Sequence, residues 1–290
     1  MSTPDVIFLT VFWTWVACAI LFLRNTILPK VPISQTPADF GLTAQTVRFR
    51  AADGVLLEGW KILVDASRPW ILLCHGVGSN RADLLDVAAG LRDARFNLFL
   101  FDFRGHGGST GRTTSFGWRE QRDLEGALAF LGRQAEIPAR AYGIYGISMG
   151  AAVALMVAAR DERLGAVAVD SPYQSLEASL RRHMVLWYPA VPRVPLLWFV
   201  LATYRMRFGV WPSRVSPLRA IAQIAPRPVL LIQGSRDKRV APEEARRLHA
   251  GAGTPKELWI VEGADHLGGF AQDPKAYQSR LESFFNSSLT

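Results

Sequence analysis

Three residue types in one order suggest acyl-transfer chemistry. Ser148 sits in "YGISMGAAVAL", residues 145–155, between Gly146 and Gly150. A G-x-S-x-G turn between a strand and a helix lifts a serine hydroxyl above a sheet and aims the following N–H groups at a developing oxyanion. A second match, "GGSTG" at 107–111, centres on Ser109. Only Ser148 has the required surroundings. The apolar run "AYGIYGI" precedes it, and the small-residue stretch "AAVALMVAAR" opens a helix after it. Ser109 lies in a polar, glycine-rich stretch with no helical period directly behind it. A serine hydroxyl is a weak nucleophile at neutral pH and needs a base oriented by a carboxylate. There are five histidines. His266 in "VEGADHLGG", His75 in "HGVGSN" and, less directly, His106 follow strand-like runs, where functional groups of a parallel sheet gather. His183 and His249 belong to helical stretches. Asp237 in "LIQGSRDKRV" follows another strand end, and Asp170 is the rival acid. Ser148, Asp237 and His266 therefore fall in the order nucleophile, acid, base, each just beyond an apolar run.

The elements that must hold these residues are legible as texture. "TVRFRAADGVLLEGWKILV" is a hairpin pattern around Asp53-Gly54. Continuous apolar runs of strand length follow at 70–76, 97–102, 141–147, 165–170, 228–234 and 256–263. Amphipathic stretches separate them at 81–94, 117–134, 149–160, 242–250 and 274–286. Strands that are apolar throughout are covered on both faces, and their alternation with helices predicts an α/β fold with a mostly parallel sheet and helices on both sides. Residues 172–217 break the rhythm. They hold no strand-like run and three proline-rich interruptions, and so read as an inserted helical lid.

The N-terminus has a different character. "VIFLTVFWTWVACAILFL", residues 6–23, carries no charge and is apolar on every face. Its 18 residues reach the lower length for a membrane-spanning helix. The expectation is a transmembrane anchor over 1–27, a proline-bearing linker over 28–44 and a hydrolytic domain over 45–290. Arg24 and Lys30 follow the span and no Lys or Arg precedes it, which predicts a cytoplasmic catalytic domain.

Composition narrows the partners. The net charge is +8, yet the arginines are scattered with no long basic run, which argues against nucleic acid. The 49% hydrophobic content suits a chain with a large core. No cofactor and no metal is expected.

The motifs "HGVGSN", "DFRGHGGS", "GISMG", "GSRD" and "GADH", in that order, resemble the α/β-hydrolase fold superfamily, and more narrowly its membrane-anchored ABHD-like serine hydrolases. The resemblance covers about residue 45 to the end. It implies Ser148 as nucleophile, His266 as general base and acid, and Asp237 as orienting acid. It further implies an oxyanion hole from the backbone N–H groups of Val77 and Met149. It makes "DFRGHGGS" a structural loop, which demotes His106 and Ser109. Serine rather than aspartate at the nucleophile position argues against dehalogenase and epoxide-hydrolase chemistry.

The expected activity is hydrolysis of carboxylic esters or thioesters, acyl or lipid-like in character, through an acyl-serine intermediate. A peptidase or amidase with the same triad and a non-catalytic binding protein on the same fold are the alternatives. The residues at 172–217 match nothing in the family closely, so substrate preference is not implied.

Overall fold

The computed structural model describes residues 2–27, 29–94, 96–134, 142–187 and 193–289. Eight strands form one sheet in the order β1-β2-β4-β3-β5-β6-β7-β8. They are β1 (Gln45–Arg50), β2 (Leu56–Ile62), β3 (Trp70–Cys74), β4 (Asn97–Phe101), β5 (Tyr142–Ile147), β6 (Leu164–Asp170), β7 (Val229–Gly234) and β8 (Lys256–Val261). β1 and β2 form the antiparallel hairpin expected around Asp53-Gly54, and β2 runs antiparallel to β4. All other pairings are parallel.

The helices are α1 (Thr3–Thr26), α2 (Leu85–Asp93), α3 (Glu120–Gln134), α4 (Met149–Ala158), α5 (Leu176–Trp187), α6 (Arg193–Phe208), α7 (Pro217–Ala220), α8 (Pro242–Gly251), α9 (Gly269–Gln272) and α10 (Pro274–Leu289). Every residue of β3, β4, β5, β6 and β7 is buried, which is why these segments read as unbroken apolar runs. Two cores flank the sheet. Leu72, Phe99, Ile144 and Val167 point to the side of α3 and α4. Ile71, Leu98, Tyr145 and Ala168 point to the side of α2 and α10. The period-two alternation of a strand sends neighbouring side chains to opposite cores.

The interval between β6 and β7 is helical as expected, with α5 and α6 as its main elements; residues 188–192 of the expected lid lie outside the described residues. Tyr204 on α6 is fully buried, and its hydroxyl donates to the Ser115 carbonyl at 2.9 Å. At the foot of the interval, the buried Glu244 of α8 accepts from the Gln174 N–H at 2.9 Å.

The expected membrane anchor is overturned. Among the described residues, no helix is long and apolar enough to cross a membrane. The membrane localisation, the cytoplasmic placement of the domain and the membrane as a partner fall with it. The uncharged run contains Thr10 and Thr14, and Asp5 and Arg24 bound it within the helix. α1 contacts α6, while Val6, Ile7, Phe8 and Trp13 remain exposed. Its end is tied to the body where Ile27 bridges Thr113 and the Thr114 N–H donates to the Thr26 carbonyl at 2.9 Å. Beyond residue 28, which is not described, Asn80 Nδ2 donates to the Val31 and Pro32 carbonyls, each at 3.3 Å.

Candidate active site

Ser148 stands between β5 and α4 with φ 51° and ψ −112°. A non-glycine residue held in this region stores on the order of 1–3 kcal/mol of backbone strain, which the surroundings must enforce. The flanking glycines show how. A Cβ on Gly150 would lie 2.2 Å from the Cys74 carbonyl oxygen and 2.6 Å from that of His75. A Cβ on Gly146 would lie 2.6 Å from the Gly150 carbonyl oxygen. The start of α4 is thus pressed onto the end of β3, and the turn between is forced tight. The Ser148 N–H donates to the Asp170 carbonyl at 2.9 Å, which ties the turn to β6.

The structure brings Ser148, His266 and Asp237 together. His266 Nε2 lies 3.1 Å from Ser148 Oγ, and His266 Nδ1 lies 2.7 Å from Asp237 Oδ2. With Nδ1–H donating to the carboxylate, the Nε2 lone pair faces the serine hydroxyl. Asp237 is buried and its acceptors are full. Oδ1 takes the N–H groups of Arg239 and Val240 at 2.8 and 2.9 Å, and Oδ2 also takes Gln233 Nε2 at 2.9 Å. Burial alone would raise this carboxyl. The hydrogen bond and charge of His266, with the Val240 N–H and the Gln233 amide, outweigh burial and hold it below the usual carboxylate range.

Val77 lies on the chain leaving β3, and Met149 opens α4 directly after Ser148. Among the described residues, neither backbone N–H donates to a protein acceptor. A Cβ on Gly76 would sit 3.5 Å from Ser148 Cβ, so the chain leaving β3 passes directly beside the serine.

The remaining candidates have other work. Ser109 Oγ donates to the Asp102 carbonyl at 2.6 Å and accepts from the Glu58 N–H at 2.9 Å, fully buried. His75 Nε2 accepts from the Phe103 N–H at 3.0 Å, so its Nδ1–H donates to the Gly76 carbonyl at 2.7 Å. His106 Nε2 accepts from the Gly78 N–H at 3.2 Å, and its Nδ1–H donates to the Arg104 carbonyl at 2.9 Å. Both rings brace the 75–79 loop beside the serine. His183 faces the site from α5, with Nδ1 2.8 Å from the Ser179 carbonyl oxygen. His249 lies on α8, away from the site. The rival acid Asp170 accepts from Ser171 Oγ at 2.8 Å and from the Tyr277 hydroxyl at 2.7 Å; burial raises its carboxyl against those two bonds. Tyr277 in turn pairs with the Tyr145 hydroxyl at 2.8 Å.

Two cavities meet at Ser148. One, about 290 Å³, opens toward α5 and is walled by Phe116, Tyr173, Leu176, Leu180 and Val240. The other, about 330 Å³, opens toward α2 and is more polar, with Ser79, Asp83, Asp86 and Asp170 in its lining. Val77, Ser148, Arg239 and His266 border both. The expected lid, with Leu176 and Leu180 at helical spacing, was the signal for the α5 wall, but the sequence offered none for Arg239 as a border residue. The basic residues after Asp237 in "GSRDKRV" were the nearest hint. Among the described residues, no cluster of His, Cys, Asp and Glu is arranged to hold a metal ion.

The strand order, the tight turn after β5 and the helices on both faces define the alpha/beta hydrolase fold. A family model for that fold matches residues 69–209. The structure superposes on the Pyrococcus furiosus esterase Pf2001 with a TM-score of 0.75 and 27% identity, covering 91% of this chain and 98% of that one. In sequence, the chain is 29% identical over 241 residues to the uncharacterized protein YqkD of Bacillus subtilis, covering 82% of this chain and 77% of that protein. It is 25% identical over 229 residues to the protein bem46 of Schizosaccharomyces pombe, covering 77% and 70%. The fold and its esterase neighbours support hydrolase activity.

Proposed function

We propose that the chain is a serine hydrolase of the ABHD-like kind that cleaves carboxylic esters or thioesters through an acyl-serine intermediate. The observation that carries this reading is the continuous hydrogen-bonded line from Asp237 through His266 to a strained Ser148, at 2.7 and 3.1 Å. In the proposed reaction His266 Nε2 takes the Ser148 proton as Oγ attacks the carbonyl carbon. The oxyanion that forms is met by the free N–H groups of Val77 and Met149. Preorganised donors of this kind each lower the barrier by about 3 kcal/mol. Asp237, held ionised, stabilises the imidazolium. The tetrahedral intermediate collapses, and the leaving alcohol or thiol departs with the proton from His266. Water, deprotonated by His266, then splits the acyl-serine bond.

The apolar cavity beneath α5 suits the acyl chain and the more polar cavity suits the leaving group. Residues 172–217 act in this reading as a cap over the acyl side of a hydrolase domain spanning 45–290. Because no helix among the described residues is long and apolar enough to cross a membrane, a bilayer lipid loses its N-terminal support as substrate, and the 290 Å³ cavity favours short and medium acyl chains.

Labelling with an active-site-directed phosphonate tests the assignment. Wild type and Ser109→Ala should label and cleave short acyl esters, while Ser148→Ala does neither. Labelling or cleavage that survives in Ser148→Ala refutes it.

A further inference from the structure

Arg239 stands at the division between the two cavities, bordering both alongside Ser148 and His266. Its backbone N–H is committed to Asp237 Oδ1, which fixes its place in the loop. Its side chain is exposed, and among the described residues its guanidinium makes no hydrogen bond and no ion pair. A cation left unpaired beside a nucleophile is available to a ligand.

The surroundings say on which side that ligand carries its charge. The cavity toward α2 has Asp83, Asp86 and Asp170 in its lining, which disfavour an anion. The cavity toward α5 has no carboxylate in its lining, and Arg239 is its one permanently charged residue. A second cation approaches that rim. Arg182 Nε donates to the Lys238 carbonyl at 2.7 Å, which draws α5 down beside the 238–239 loop. The guanidinium also acts on the cavity wall. Burial lowers the His183 imidazole against the hydrogen bond it donates to the Ser179 carbonyl, which raises it, and the Arg239 charge lowers it further.

We propose that Arg239 is a specificity-determining residue that selects esters whose acyl half carries an anionic group a few bonds from the scissile carbonyl, short dicarboxylic half-esters being the simplest class. The inference rests on the serine-hydrolase reading of the same site. An apolar wall with one cation at its mouth accepts the methylene segment of such an acyl group and pairs its carboxylate at the rim. In the reaction the ester C–O bond breaks and the alcohol leaves with the proton that His266 took from Ser148. Water then splits the acyl-serine bond and releases the dicarboxylate with one proton.

Monomethyl succinate and methyl 4-methylpentanoate form a matched pair, differing by a carboxylate in place of an isopropyl group of the same shape. Hydrolysis of each is followed by proton release in a pH-stat. The quantity read is the ratio of their kcat/KM values, in which a general loss of active enzyme cancels. Arg239→Gln should lower the ratio on the order of tenfold, the usual weight of a charge-assisted hydrogen bond. Arg239→Lys should retain most of it, and added salt should lower it in the wild type, because the rim is exposed. A ratio unchanged within about twofold in Arg239→Gln, with both esters still cleaved in a Ser148-dependent way, overturns the inference and leaves the hydrolase reading standing. Failure of the wild type to cleave either ester or to label with the phosphonate overturns both.

Discussion

Exchanging Asp237 for asparagine replaces one oxygen by an amide nitrogen and removes one charge, and the hydrogen bonds of the site dictate where that nitrogen goes. Oδ1 faces two backbone donors, Arg239 N–H and Val240 N–H. An NH₂ group there would set donor against donor twice, so the asparagine must keep its oxygen at that position. The NH₂ group therefore faces His266 Nδ1 and Gln233 Nε2. His266 can meet it only by carrying its proton on Nε2. That tautomer offers Ser148 a donor where the reaction needs an acceptor, and the imidazolium loses its counter-charge. Wrong-tautomer losses of this kind run to about 10⁴-fold in kcat, or ~5 kcal/mol of barrier. Folding should suffer far less. Gln233 Oε1 is buried without a partner, so a turn of that amide brings an unused acceptor to the new NH₂ group, at the expense of a 3.2 Å bond to the Val240 carbonyl. Asp237→Ala behaves differently, leaving two buried N–H groups unpaired at about 1–3 kcal/mol each. The assay is p-nitrophenyl acetate hydrolysis near neutral pH, set beside thermal unfolding by circular dichroism. Asp237→Asn should be nearly inactive and close to wild type in Tm, whereas Asp237→Ala should be inactive and less stable. Activity of Asp237→Asn within tenfold of wild type would refute this reasoning and pass the orienting role to another acid. Asp170→Asn is the variant to examine next.

Two further outcomes follow from groups beside the site. Gly150→Ala places a methyl 2.2 Å from the Cys74 carbonyl oxygen, so β3 and α4 must separate; the expected loss is about 1–3 kcal/mol of stability together with phosphonate labelling. Unchanged Tm and full labelling would contradict the close approach that shapes the turn. Burial holds the His75 imidazole down at about 3, against about 6.5 in an unfolded chain. Between those values the unfolded state binds a proton that the folded state does not, so stability falls as pH drops below about 6.5, by about 1.4 kcal/mol per pH unit from this group. Urea unfolding at several pH values between 7 and 5 measures the slope, and His75→Asn should flatten it. Equal slopes in the two proteins would remove His75 as a source of acid sensitivity.

What the sequence disclosed depends on how local the physics is. The sheet was legible because strands buried on both faces must be apolar throughout, and each expected run lies within a residue or two of an observed strand. The turn at Ser148 was legible because its two glycines fall inside one short motif, although only Gly146 answers to crowding within five residues and Gly150 answers to β3. Ser109 shows the limit of the motif. The same G-x-S-x-G spacing surrounds it, and its bonds to Glu58, far along the chain, and to Asp102 make it a brace. The N-terminal run misled for a related reason. Apolarity alone does not make a span: the run carries Thr10 and Thr14 between Asp5 and Arg24, and α1 meets α6, nearly two hundred residues away, with Phe8, Trp13 and Ile20 still exposed. The partner of His106 and the position of Arg239 were invisible in the same sense. His106 braces Gly78 across a gap of 28 residues, and Arg239 gains its position from α5. The residues proposed for the bond-making steps therefore lie in short motifs, while those proposed to position the loop and select the substrate come together only once distant segments meet. Specificity in this chain is a property of the assembled rim around Arg239, so it changes with the helices between β6 and β7 even where the motif residues are kept.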